Sequence, residues 1–168
     1  MNITSISKHY TTRILDESDL DIIYNLCKEN KLYYHHCPPM ISYELIKEDM
    51  YGLPKGFLKE NKYYTGIFDK EKLMGIIDIL DGYPSKNVAY IGLFMLDIEY
   101  QGKGIGTAII NEFIEYLKDN NYNEIQLGYV KTNPQASRFW NKLGFSQCRD
   151  EVDFGEYFVI PASKKISK

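Results

Sequence analysis

The residues best placed to do chemistry form one short run, Gln101-Gly102-Lys103-Gly104-Ile105-Gly106. Three glycines at alternate positions let a backbone turn tightly and come close to a bulky anion. A helix starting there would add unpaired amide N–H groups and the positive end of its dipole. The chemistry that suits such a turn is the binding of a pyrophosphate, and hence of a nucleotide-bearing cofactor. Two elements must position it. Residues 88–96 (VAYIGLFML) are a continuous apolar run of a length that suits a strand covered on both faces. After Gly104, the residues Ile105, Ile109, Phe113, Tyr116 and Leu117 make one apolar stripe, which reads as a helix packed on a sheet.

Spacing separates the glycine-loop readings. The Walker pattern GxxxxGK[ST] is absent. A dinucleotide fingerprint counted from Gly102 meets Thr107 where its third glycine belongs, and the run lies late in the chain. A second pattern follows thirty residues on, Asn133-Pro134-Gln135-Ala136-Ser137-Arg138-Phe139-Trp140-Asn141-Lys142-Leu143-Gly144-Phe145. Pro134 suits a first helical turn, Ala136, Phe139, Trp140 and Leu143 have helical spacing, and Gly144 is a helix stop before Phe145 enters a strand.

Together, with a strand at 124–129 between them, the two patterns resemble the acetyl-CoA loop and the NPxAxxFYxKxGF signature of the GNAT superfamily of N-acyltransferases. The resemblance implies a single α/β (α+β) domain over 1–168, with a mixed, mostly antiparallel sheet of six to seven strands and helices on both faces. It implies a fourth strand that splays from the fifth, with acetyl-CoA entering the gap. Carried onto this chain, the pantetheine arm would pair with the amides of Phe94, Met95 and Leu96. The N–H groups of Gln101, Gly102, Lys103, Gly104, Ile105, Gly106 and Thr107 would hold the pyrophosphate, with the Lys103 charge nearby or in solvent. Asn133 and Ser137 would meet the cofactor arm, or serve only as an N-cap and an exposed hydroxyl. The implied activity is transfer of an acetyl group to a primary amine of a small molecule or protein, by direct attack in a ternary complex. The alternatives are a GNAT-like module that keeps acyl-CoA as a ligand without catalysis and, further off, a dinucleotide oxidoreductase. Pairing through the late strands, common in the family, allows a homodimer.

Making an amide from a thioester needs a neutral amine. An alkylamine of pKa about 10 costs on the order of 4 kcal/mol to deprotonate near pH 7, so a base or water chain must take the proton. The backbone N–H near Phe94 is the natural donor to the oxyanion. No cysteine nucleophile is required, because the thioester is already activated. Two places depart from the family. Trp140 stands where many members carry a tyrosine that protonates the leaving thiolate, and Tyr129 is a possible substitute. Tyr90 stands where some relatives have a glutamate base, and either positions a water or packs as a core aromatic. Asp78, Asp81, Glu44 and His36 are further base candidates; Asp78, interrupting an apolar strand, is expected on its solvent face. The acidic run Asp150, Glu151, Asp153 and Glu156 would attract a cationic amine or form a solvated loop.

A formal net charge of −3 without a basic stripe speaks against nucleic-acid binding, and no apolar run is long enough to span a membrane, so a cytoplasmic protein is expected. Three scattered cysteines make no disulfide framework. His35-His36-Cys37 lacks a second ligand pair, so no metal is expected and the stretch reads as an irregular segment before Pro38-Pro39. The remaining elements are a strand at 11–15, a helix at 20–29, a helix from a Ser42 cap through 50, strands at 62–68 and 73–80, late strands at 146–148 and 156–160, and a frayed tail at 164–168.

Overall fold

The computed structural model describes residues 1–166. Its elements in chain order are β1 (Thr11–Ile14), α1 (Leu20–Glu29), α2 (Lys31–His36), α3 (Tyr43–Tyr51), β2 (Lys62–Asp69), β3 (Lys72–Asp81), β4 (Val88–Leu96), α4 (Ile105–Asp119), β5 (Glu124–Val130), α5 (Pro134–Lys142), β6 (Ser146–Gln147), β7 (Val152–Asp153) and β8 (Phe158–Lys165), with short 3-10 turns between some of them. The strands form one sheet in the order β1-β2-β3-β4-β5-β8-β6, with β7 also paired to β8. Every pairing is antiparallel except β4 with β5. This is the mixed, mostly antiparallel α/β sheet expected from the sequence, with eight strands among the described residues.

Each face of the sheet carries its own core. Ala89, Ile91 and Leu96 of β4 pack with Ile110, Phe113 and Leu117 of α4 on one side. On the other, Met95 joins Ile23, Leu26, Ile46 and Met50 of α1 and α3. Ser42 caps α3, its hydroxyl accepting from the Leu45 amide at 3.1 Å, as its position before an apolar period requires.

The structure corrects three expectations. Residues 31–36 are helical, because Asn30 ends α1 with a ψ of 51° and restarts the chain, while Tyr34 is buried against the α1 side of the sheet. The last strand does not stop at 160. Proline lacks only a donor, and the Pro161 carbonyl accepts from the Cys148 amide at 3.0 Å while the strand runs on to Lys165. The expected frayed tail is therefore strand at Lys164 and Lys165 and buried at Ile166; residues 167 and 168 lie outside the described residues.

Candidate active site

β4 and β5 part company halfway along. They pair in parallel from Val88↔Glu124 to Ile91↔Leu127, four residues, and β4 then continues to Leu96 without its neighbour. A bulge drives the separation. Asp78 of β3 faces Leu93 while Ile79 faces Ile91, so Gly92 is an extra residue on β4. A Cβ at Gly92 would lie 2.5 Å from Asp78 Oδ2, so any other residue there has to displace that carboxylate.

Past the bulge, the Asp97 amide donates to the Met74 carbonyl at 2.9 Å, which fixes the phase of the strand. Amides alternate between neighbours along a strand, so Met95 turns to β3 whereas Phe94 and Leu96 point into the gap. The trio expected from the sequence is thus reduced to two amides, Phe94 and Leu96. Met95 contributes packing.

The gap opens into a cavity of about 570 Å3 at the amino terminus of α4. Gly104 caps this helix in the left-handed region (φ 79°), with no side-chain cap and no acidic residue in the first turn. The Ile105, Gly106 and Thr107 amides precede the first intrahelical donor, Ala108 to Gly104, and have no partner within the helix. Gly102 also has positive φ (72°), and a Cβ on either glycine would meet nothing within 4 Å. Their bareness leaves a cradle that the helix dipole makes attractive to an anion. Gly106 serves a different end. A Cβ there would come within 3.2 Å of Leu96 and 3.4 Å of Phe139, so its smallness lets α4 and α5 close on β4.

Side chains tie the cradle to its surroundings. Gln101 Nε2 donates to the Leu96 carbonyl (2.8 Å) and to Asn30 Oδ1 (2.8 Å), Asn30 Nδ2 donates to the same carbonyl (3.1 Å), and Gln135 Nε2 donates to Gln101 Oε1 (3.2 Å). The Gln101 side chain therefore locks the end of β4 to α1 and α5. Phe94 lies on the α5 side of the cavity, stacked on Phe139 with centroids 5.8 Å apart, and Trp140 packs edge-on against both.

The other sequence candidates fall as follows. Asn133 is buried and lines the cavity, and its Oδ1 caps α5 by accepting from the Gln135 and Ala136 amides. Lys103, Ile105 and Ser137 lie outside the cavity lining; Lys103 is exposed, and the Ser137 hydroxyl accepts from Asn141. The cations that do line it are Lys31, Arg138 and Lys142, which the sequence reading passed over. Tyr129 is half-buried on the α4–α5 side of β5, away from the cavity lining. Tyr90 packs edge-on against Tyr83 on the opposite face, and burial pushes its phenol up, so even less of it than of free tyrosine is phenolate near neutral pH.

Asp78 does not face solvent. β3 is central and covered on both faces, and the carboxylate is buried against Lys62 Nζ at 2.8 Å, with Oδ1 lacking any hydrogen-bond partner. Desolvation raises its pKa, opposed by Lys62. Asp81 accepts from Tyr122 Oη at 2.6 Å, engaged at the far end of the strand. Glu44 is exposed and its carboxyl is held low by its own backbone amide and by the Ser42 hydroxyl. His36 meets Thr132 Oγ1 at 3.0 Å, and its ring packs edge-on against His35. Of the acidic run, Glu151 pairs with Lys131 (2.7 Å) and Asp153 accepts from the Gly155 amide, both on an exposed hairpin. Among the described residues no helix is long and apolar enough to cross a membrane.

A strand opened by a bulge, a bare uncapped helix start and an aromatic wall meet around one cavity, a shape that would suit an extended, anionic-headed ligand lying along backbone. The model of the acetyltransferase (GNAT) family matches residues 21–145, and the chain belongs to that family. It is 26% identical over 149 residues to the spermine/spermidine N(1)-acetyltransferase of Bacillus subtilis, covering 88% of this chain and 93% of that one. Among solved structures, an acetyltransferase from Thermus thermophilus superposes with a TM-score of 0.73 at 16% identity, covering 93% of this chain and 96% of that one. The spermidine N-acetyltransferase of Vibrio cholerae, in complex with CoA and spermine, superposes with a TM-score of 0.68 at 21% identity, covering 95% and 97%. The chain spans between a third and about two-thirds of the length of the first curated relatives it matches.

Proposed function

We propose that the protein transfers an acetyl group from acetyl-CoA to the primary amine of a small molecule, by direct attack with both substrates bound. The observation that carries this reading is the coincidence, in one cavity, of the unpaired β4 edge and the uncapped start of α4. The residues fit the group. Backbone amides from Gly104 to Thr107 suit the diphosphate, Lys31, Arg138 and Lys142 add positive charge, and the Phe94 and Leu96 amides suit the amide-rich arm. When bound, acetyl-CoA would supply an activated acyl carbon, and the Phe94 N–H would donate to the oxygen on which negative charge develops.

Trp140 bears on the last step. Its indole is buried among Phe94, Phe139 and Phe145 and cannot serve as a proton donor to sulfur. A thiol of ordinary pKa, about 8.5, leaves as thiolate for around 2 kcal/mol at neutral pH, so the site works without that acid. The relatives named for polyamines favour a small cationic acceptor over a protein terminus.

Calorimetry with acetyl-CoA, CoA and NAD, followed by a thiol-release assay over a panel of amines, tests the reading. Micromolar binding of both CoA species, with free thiol appearing for some amine, is the expected result. Preference for NAD would defeat the cofactor assignment. Binding without release for any amine would make the domain an acyl-CoA sensor.

A further inference from the structure

The cavity carries more positive charge than the start of α4 supplies. Besides the free amides of that first turn, it is lined by three cations, Lys31, Arg138 and Lys142, and by one carboxylate, Glu29, in a chain whose formal net charge is −3. Lys31 opens α2 and shares its wall with Glu29 at the end of α1, which offsets part of its charge. Arg138 and Lys142 have the α5 wall to themselves. They stand one helical turn apart, so they line the cavity from a single face of α5. Among the described residues neither is engaged in an ion pair.

Packing fixes this face beside the cradle. The Phe139 ring of α5 lies 3.4 Å from where a Cβ on Gly106 would stand, in the first turn of α4. Arg138 precedes that ring and, unlike it, is exposed, so its guanidinium stands on the solvent side of the cradle. Lys142, also exposed, follows one turn farther along the helix. Leu32 and Ile98 line the same cavity at 48% and 49% exposure, and add apolar surface at its mouth that suits the flat face of a base. Two kinds of anion-binding group therefore stand side by side, main-chain amides at residues 105–107 and charged side chains on α5.

We propose that Arg138 and Lys142 form a second anion subsite, which takes a phosphate monoester on the ribose of the nucleotide and so makes the cavity select CoA over its dephospho form. This rests on the acyl-transfer reading above and names the part of the cofactor that α5 reads. The ligand has two unlike phosphate groups. Its diphosphate is a diester with about one charge on each phosphorus, which a helix dipole and convergent amides suit. Its 3′-phosphate is a monoester with three terminal oxygens and close to two charges. A guanidinium grips two such oxygens at once, and a neighbouring ammonium adds a point charge. Because the amides of α4 suffice for the diphosphate, the two side chains on α5 are left for the monoester.

The test is calorimetry with CoA and with dephospho-CoA on three proteins: the wild type, the double variant Arg138→Ala/Lys142→Ala, and Lys55→Ala/Lys86→Ala, which removes the same charge from exposed positions outside the cavity. The wild type is expected to bind CoA about 30-fold more tightly than dephospho-CoA. In the α5 variant that ratio should fall to within a few-fold of one, through loss of CoA affinity with dephospho-CoA affinity kept within a few-fold. The Lys55/Lys86 variant should keep the wild-type ratio. Because both ligands are measured on one protein, a folding defect lowers both affinities and leaves their ratio alone. A wild type that does not distinguish the two forms, an α5 variant that keeps the wild-type ratio, or a control variant that loses it would overturn the assignment while leaving acyl transfer standing. A wild type that binds neither form would sink the cofactor reading itself, and the subsite with it.

Discussion

The two sides of the splayed strand are built by opposite means. On the cofactor side, the groups proposed to bind are backbone amides of β4 and of the first turn of α4, and the side chains around them chiefly leave space or fix geometry. On the α1–α3 side the polar groups are side chains, the buried Asp78 and Lys62, drawn from β3 and β2. A ligand common to a whole family can be held by main chain, which any sequence with the right glycines supplies. An acceptor that differs from member to member needs side chains, which can change without disturbing the fold.

That contrast can be broken most visibly at the cradle. Gly104→Val forces a β-branched residue into positive φ and fills bare space, and is expected to weaken acetyl-CoA binding by more than about 100-fold. Calorimetry should show this while thermal unfolding shifts only a few degrees, about what a strain of 1–3 kcal/mol produces. A variant that binds normally would remove the backbone account of that side.

Lys62→Met probes the other side. It leaves Asp78 buried without its cation, at an expected cost of about 3 kcal/mol near pH 8 in chemical denaturation. The sign with pH follows from the raised folded-state pKa of Asp78. Relative to the unfolded chain the native state then holds the proton more tightly, so the loss shrinks as pH falls through the folded pKa and grows as pH rises through it. A deficit that does not change between pH 5 and 8 would show that Asp78 does not carry that charge.

Gly92→Ala sharpens the comparison at the bulge itself. The new methyl meets Asp78 Oδ2, so a loss of about 2 kcal/mol in stability is expected, with acetyl-CoA affinity kept within a few-fold. The smallest effect should come from Gln101→Ala, which loosens the tie among Leu96, Asn30 and α5. About 1 kcal/mol of stability and a few-fold of cofactor affinity are expected, both readable in one ligand-dependent melting series.

The same asymmetry governs what the chain discloses before folding. The cradle is legible because local backbone geometry demands local residue types: glycines at 102, 104 and 106, and an Asn-Pro start at 133–134. Most strands and helices show for the same reason, through their apolar periods. Residues 31–36 hide their helix because Tyr-Tyr-His-His has no apolar period, and the turn depends on Asn30 reaching the distant Leu96 carbonyl. Asp78 is conspicuous in its apolar strand, yet its side could not be read, because whether a strand has a wet face depends on its place in the sheet. Lys31, Arg138 and Lys142 likewise gain meaning only when α2 and α5 meet around one cavity.

The most direct test of the central claim is to follow backbone amides by 1H–15N NMR as CoA is added. The amides of Phe94, Leu96 and of Gly104 through Thr107 should move together and exchange more slowly with solvent, while Met95, already bonded within the sheet, stays put. Shifts confined to other surfaces, or Met95 responding as strongly as its two neighbours, would contradict a cofactor held by the free edge of β4.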